Sequence, residues 1–542
     1  MLDKLSTQQR VILATVLSFL FFAGYDYLFI PKQINKPLES NRTIQKQNPS
    51  NALNAPKVTN TPSEATAPQT TSKAPSNSTS PIIKNEKVIV KVKGKRFDMS
   101  IDSFGRVNKF YLNGKRYKKK DGSRVQLFND AKLPLPLEVR FTDAKLNEEA
   151  FKIPYTTDKT EITLQDKPVT LILTQKLSKL TIVKKITIYP IGKYTITLTL
   201  SKPAQYFISP GFRPDVKVDG YTFHGVLIKE LDDTLTMIKD KDAKGDEHFA
   251  NAKIVADSDR YFTTAFYNLK GGLDVYISKD KDKNPLAFVK GKQNYTINGY
   301  IGVKELKILN SIDKELGDIV EYGWFTFIAK PIFLLLSFLH SIIGNWGWAI
   351  VLTTLIIRTV LFPLTYKGMV SMTKMKELSP KIKELQKKYK GDPQKLNAHT
   401  MELYKKHGAN PMGGCLPMIL QIPIFFALYR VLQNSAELQS APWILWIHDL
   451  SSKDPYFILP ILMGITMFLQ QHITPNTIQD PTQAKIMKYL PVIFTFFFMT
   501  FPAGLTLYWF VNNLFSIAQQ YYINKIFEKK KQQKKEIKKV EK

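Results

Sequence analysis

Arg358 is the residue of this chain whose position most needs a chemical explanation. It lies inside the apolar run Trp346–Leu364, about six residues from the end that leads into a lysine-rich segment. At 1.5 Å per residue, that is roughly 9 Å inside a hydrocarbon edge. A guanidinium there costs about 2.5–3.5 kcal/mol on insertion scales, so something must offset it. The usual offset is a carboxylate. Yet the runs Trp346–Leu364, Cys415–Asn434, Phe457–Ile473, Tyr489–Phe501 and Leu505–Asn524 contain no Asp or Glu. What remains is water, lipid phosphate or uncharged polar side chains.

Such side chains are plentiful. Thr354 is one helical turn from Arg358, Gln421 and Gln433 lie in the next run, and Gln470 and Gln471 end the one after. In the last run Tyr508, Asn512, Ser516 and Gln519 follow i, i+4, i+8 and i+11, which is one helical face. A polar face on a spanning helix must look inward or onto a water-filled cavity. The pattern predicts a wet, positively charged intramembrane groove open toward the cytoplasm, with Arg358, Thr354, Gln421, Gln471, Tyr508, Asn512 and Ser516 on its wall. Two plainer readings stand beside it. Arg358 could snorkel to cytoplasmic headgroups, and the polar face of the last run could make ordinary interhelical hydrogen bonds.

The other reactive residue types read more simply. Arg430, near the outer end of its run, fits snorkelling. Cys415 fits a small residue at a helix start, and a lone cysteine excludes an internal disulfide or a Cys-based metal cluster. His224 and His248 have no metal-ligand spacing. No G-x-x-x-x-G-K-[ST] phosphate loop is present, so neither nucleotide nor other cofactor is expected, and no enzymatic step.

The elements that position Arg358 follow from hydropathy. Residues 1–30 carry Lys4 and Arg10 ahead of an apolar stretch from Val11 to Ile30, with no A-x-A-like cleavage site, which predicts an uncleaved anchor. Residues 31–85 are rich in Asn, Ser, Thr and Pro and read as a flexible periplasmic linker. Residues 86–312 alternate with period two, as in Thr181–Tyr189, between turn signals such as Asn113-Gly114 and Asp219-Gly220. They predict a large all-β sandwich domain. Residues 313–345 contain an apolar, aromatic helix expected to lie in the membrane interface. The five apolar runs of 346–524 complete six transmembrane helices with the N-terminal anchor.

Lysines set the orientation. The loop Tyr366–Gly414 has eleven lysines against four acids, and the tail Lys525–Lys542 nine against three, whereas Ser435–Tyr456 has one lysine against three. The first two therefore face the cytoplasm, as do both chain termini, and the β domain lies outside. Within 366–408, Met375, Leu378, Ile382, Leu385 and Tyr389 recur at helical steps before Gly391-Asp392-Pro393, predicting a basic helical hairpin. This hairpin reads either as a solvated connector or as a docking surface for ribosomal RNA or a targeting factor. A net charge of +31 would suggest nucleic acid, but the charges flank apolar runs, so membrane lipid comes first and no DNA partner is expected. A secondary transporter would show internal repeats and membrane-embedded acids, and neither is seen. A membrane-tethered carbohydrate enzyme would show carboxylates and histidine clustered in a sugar cleft of the β domain.

At these residues the chain resembles the YidC/OxaA-type membrane protein insertases. The matching stretches are Gly344-Asn345-Trp346-Gly347-Trp348 leading to Arg358, and Asn410-Pro411-Met412-Gly413-Gly414-Cys415-Leu416-Pro417. They continue through Gln421-Ile422-Pro423, Trp446-Ile447-His448-Asp449-Leu450, Asp454-Pro455-Tyr456, Leu459-Pro460 and Phe501-Pro502-Ala503-Gly504-Leu505. The anchor, linker and β domain resemble the long form of Gram-negative bacteria, whose outer domain looks like a sugar-mutarotase-type sandwich. The resemblance implies an inner-membrane insertase and chaperone, with Arg358 as the groove arginine and Thr354 as its hydroxyl neighbour. It makes Tyr508 and Trp509 client-contacting aromatics, although Trp509 stands where some members carry tyrosine. The implied partners are nascent membrane proteins, the ribosome and the Sec translocon.

Overall fold

The computed structural model describes residues 87–119, 121–128, 132–216, 222–409, 416–473 and 481–540. The expected anchor 1–30, the linker 31–85 and Cys415 lie outside the described residues. The chain divides into two compact units, one ending at Val303 and one beginning at Lys304. The boundary thus falls nine residues before the expected end of the β domain. The cause is local: Leu306–Ile312 is helical and caps on Glu305 rather than continuing the last strand, Asn294–Val303.

Among its described residues the first unit is built of strands, with a 3-10 turn at Lys115–Tyr117 and one short helix, α1 (Ala144–Ala150), whose N-terminus is capped by Asp143. A thirteen-stranded sheet and a four-stranded sheet share its strands. Period two is visible in the larger sheet. Thr181–Ile188 and Lys193–Leu200 pair antiparallel, with Ile186 opposite Ile196, and alternate residues of both are buried. Gly192 closes the turn between them at φ +90, where an added Cβ would strike the Ile301 carbonyl at 2.4 Å.

The second unit is helical. After α2 (Leu306–Ile312) come α3 (Thr326–Ile343), α4 (Trp346–Val360), α5 (Phe362–Lys388), α6 (Pro393–Lys406), α7 (Leu416–Asn434), α8 (Ile458–Ile473), α9 (Pro481–Phe498) and α10 (Ala503–Val540). Helix α10 packs on α4 and α8, α3 on α4 and α7, and α9 on α8. Gly464 lets α8 meet α9, for an added Cβ there would lie 1.9 Å from the Thr495 hydroxyl. Asp454 anchors the start of α8 by accepting the Leu459 N–H at 2.7 Å and the Trp446 indole N–H at 3.1 Å. Helices α5 and α6 form the basic hairpin, closed by Met375, Leu378, Ile382 and Tyr404. Asp392 caps α6 ahead of Pro393.

Several expected boundaries move. The run Trp346–Leu364 does not continue to its apolar end: α4 stops at Val360 and α5 leaves at an angle of 67°. Pro363, in the first turn of α5, has no N–H to carry the ladder across. The run Tyr489–Phe501 becomes α9, which starts at Pro481 and ends at Phe498. The basic tail does not separate from the last run, because α10 continues unbroken through its lysines to Val540. Among the described residues, α3 alone is long and apolar enough to cross a membrane by itself. The bent pair α4–α5 passes the same test jointly, and Ile458–Ile473 and Met487–Phe498 are shorter apolar helices.

The β unit buries a charged cluster. Lys184 occupies an inward position between Ile182 and Ile186 and donates to the carbonyls of Gly105 and Leu137 at 3.0 and 2.9 Å. Beside it Arg106 pairs with Asp102 at 2.9 Å and with Glu138 at 3.0 Å, and Arg140 also pairs with Glu138. Burial alone would raise the Glu138 carboxyl, but the two arginines outweigh it and hold it below its ordinary value. Burial pushes Lys184 down to about 7, with Asp102 only partly opposing. Between that value and the unfolded one near 10.4, the unfolded chain binds the extra proton, so stability rises with pH in that window. Calorimetry from pH 7 to 9 is expected to show the β-unit transition strengthening by at most about 1.4 kcal/mol per pH unit. In Lys184→Met that rise should vanish. A variant with the same pH slope would contradict the assignment.

Candidate functional site

Arg358 comes from the last turn of α4, two residues before the helix ends, and its side chain does not run out to the surface. It is 7% exposed. Its Nε donates to Asn512 Oδ1 at 2.5 Å. Its Nη2 donates to Ser516 Oγ at 2.7 Å and to Gln421 Oε1 at 3.0 Å, with the Asn512 carbonyl at a marginal 3.5 Å. Ser516 in turn donates to that carbonyl at 2.9 Å, which turns its oxygen toward the arginine. No carboxylate pairs with the guanidinium among the described residues. A cation in a low-dielectric interior is thus satisfied by neutral dipoles fixed on two neighbouring helices, α10 and α7.

The one-face spacing of α10 makes this possible. Asn512 and Ser516 are one turn apart and both buried, and Tyr508, a turn earlier, is buried beside them. Thr354 lies a turn before Arg358 and spends its hydroxyl on the Ile350 carbonyl at 2.7 Å. These residues face a cleft whose empty volume, counting its open mouth, is about 310 Å³. Thr354, Arg358, Gln421, Tyr508 and Asn512 line it, so five of the sequence-derived groove residues converge on one space, with Ser516 behind the guanidinium.

Two expected residues lie elsewhere. Gln471, at the end of α8, donates to the Met487 carbonyl of α9 at 2.5 Å and does not line the cleft. The packing of α8 against α9 draws it away. Trp509 follows Tyr508 by one position, so it turns roughly 100° round the helix. It packs edge-on to Phe425 at 4.9 Å and against Phe494 and Phe498, and its buried indole N–H has no hydrogen-bond partner among the described residues. This aromatic cluster, shared by α7, α9 and α10, was not singled out from the sequence. Its signal was the density of Phe in 494–501, which also fits a lipid-facing surface.

Sequence reading also missed Thr365 and Leu361 on the cleft wall, because the bend after Val360 returns them to the Arg358 side. Snorkelling is the reading this geometry disfavours. The burial that replaces it makes the partners structural as well as functional. Asn512→Leu is expected to cost about 2–3 kcal/mol, the worth of a hydrogen bond to a charged group. Combining it with Arg358→Leu should recover part of that loss. Thermal unfolding of the detergent-solubilised protein checks this, and purely additive losses would contradict it.

Comparison with known proteins finds matches over nearly the whole chain. The family described as 60Kd inner membrane protein matches residues 338–532, and that described as YidC periplasmic domain matches 89–335. The membrane protein insertase YidC of Campylobacter jejuni is 55% identical over 528 residues, covering 97% of this chain and 98% of its own. Those of Wolinella succinogenes and Helicobacter pylori are 51% and 45% identical, the first covering 98% of this chain and 97% of its own, the second 98% of each. A solved YidC insertase with its first transmembrane domain resolved aligns at TM-score 0.36 and 20% identity, over 81% of this chain and 95% of that one. By its end-to-end identity to these relatives, the chain belongs to the YidC family of membrane protein insertases, inner-membrane proteins with a large periplasmic β domain.

Proposed function

We propose that this insertase passes the hydrophilic tail of a nascent membrane protein through the cleft beside Arg358, which is open to the cytoplasm and holds water. The carrying observation is the buried guanidinium with neutral partners only. A cation so placed attracts an acidic tail without having to break an existing ion pair. Helix length supports a short crossing. Ile458–Ile473 spans about 24 Å and the apolar part of α9, Met487–Phe498, about 18 Å at 1.5 Å per residue, against a hydrocarbon core of about 30 Å. Once the tail has crossed, the client's apolar segment slides into lipid, and its burial at about 25 cal/mol per Å² drives the step. No nucleotide or catalysis enters.

In this reading six helices span the bilayer, with the N-terminal anchor among them, and α3 lies in the outer interface. Its unpacked face, with Phe327, Leu334, Phe338 and Ile342 exposed at helical spacing, supports a lipid contact. Both termini are cytoplasmic. The lysine-rich hairpin α5–α6 and the end of α10 receive the ribosome, and the chain acts as insertase and chaperone alone or with the Sec translocon. Thr354, Gln421, Tyr508, Asn512 and Ser516 keep Arg358 presented to the client. Trp509 supports that wall from the aromatic side, and Gln471 steadies the α8–α9 pair.

Charge reversal tests the reading. Arg358→Glu should cut insertion of a small acid-tailed client at least tenfold, since attraction of about 4 kcal/mol at 4 Å near a protein surface becomes repulsion. Arg358→Lys should retain most of it. Reconstituted proteoliposomes containing equal amounts of each variant provide the assay. Wild-type insertion by Arg358→Glu would remove the arginine from the mechanism.

A further inference from the structure

A carboxylate grips a guanidinium as a fork, taking two parallel N–H donors at once. Arg358 has two edges that could serve. On one, Nε is held by Asn512 and Nη2 by Ser516, through bonds that are both buried. On the other, Nη2 directs its remaining hydrogen to Gln421 Oε1 at 3.0 Å through a bond only partly buried, and Nη1 has no hydrogen-bond partner among the described residues. Nη1 is also not among the buried polar atoms left unpaired, so it is open to the cleft. The only edge a ligand in the cleft can reach is therefore Nη1–Nη2, and half of it is taken by Gln421.

Gln421 differs from the other two partners in where it comes from. Asn512 and Ser516 sit a turn apart on α10 and hold the arginine from behind. Gln421 reaches across from α7 and lines the cleft itself. Its side chain carries three rotatable bonds and can swing away without moving either helix. Its acceptor is a neutral amide oxygen, whereas a carboxylate brings an opposite charge and takes two parallel donors at once.

We propose that Gln421 is an internal stand-in for the client's carboxylate, a displaceable neutral acceptor that keeps Arg358 satisfied between clients and yields only to an acidic side chain. The proposal rests on the reading of Arg358 as the client contact. It adds a selectivity that the arginine alone would not have. A client amide exchanges like for like with Gln421 and gains nothing, whereas an Asp or Glu closes the fork on Nη1 and Nη2 and displaces it. No bond is made or broken, and the client carries its charge onward once its tail leaves the cleft.

The test uses the full chain in proteoliposomes and paired clients differing only in tail Asp against tail Asn. The readout is the ratio of their insertion rates, which cancels differences in the amount of folded protein. Gln421→Leu, and Gln421→Met as a near-isosteric check, remove the competitor, let the amide client bind unopposed and, with client in excess, should lower the Asp-to-Asn ratio roughly three- to tenfold, the equivalent of one such hydrogen bond. Gln421→Glu supplies a permanent internal carboxylate and should bring the ratio to about one. If Leu and Met leave the ratio unchanged or raise it while Arg358→Gln abolishes it, Gln421 is a supporting contact and the proposal is overturned with its premise intact. If Arg358→Gln keeps the wild-type ratio, the premise itself fails.

Discussion

One positive charge without a negative partner organises the helical unit. Arg358 is buried and no carboxylate pairs with it among the described residues, so its stability depends on Asn512, Ser516 and Gln421 being aimed at it. That requirement fixes the rotation of α10, which must turn its 508–512–516 face toward α4. It also holds α7 within reach. With that face committed, Trp509 and its neighbours fall on the aromatic flank, and α8 takes the remaining side of α10. An ion pair at the same place would be tighter but would leave nothing for a client to bind, since both charges would already be spent.

The β unit handles buried charge the opposite way. There Arg106 and Arg140 are closed against Asp102 and Glu138, and Lys184 is held by two backbone carbonyls. This cluster is as buried as Arg358, and its carboxylates are paired with arginine.

Much of this was legible in the sequence, and the reasons are specific. The polar face of α10 could be read because i, i+4, i+8 spacing survives in any straight helix. The α5–α6 hairpin could be read because Gly391-Asp392-Pro393 leaves the backbone few alternatives. The apolar run after Trp346 misled because hydropathy does not register a bend: the residues stay apolar while Pro363 ends the ladder. That error also misplaced the depth of Arg358, which sits two residues from a helix end rather than six. Gln471 could not be placed because nothing in a single helix says which neighbour its C-terminal turn will face. Trp509 looked like a groove residue by proximity to Tyr508, yet one position on a helix is a different face. The Gly464–Thr495 approach, which sets α9 against α8, is a tertiary fact with no local signature.

The central claim is that water reaches the buried arginine from the cytoplasmic side. A single cysteine at position 354, in a chain with Cys415 replaced by serine, makes that measurable by its alkylation rate with a membrane-impermeant maleimide in oriented vesicles. Ile356→Cys, two residues along the same helix and on its outer face, is the lipid-facing reference. Reaction at position 354 from the cytoplasmic side, much faster than at position 356, is the predicted result. Equal, slow reaction at both positions would mean a dry arginine and would contradict the account.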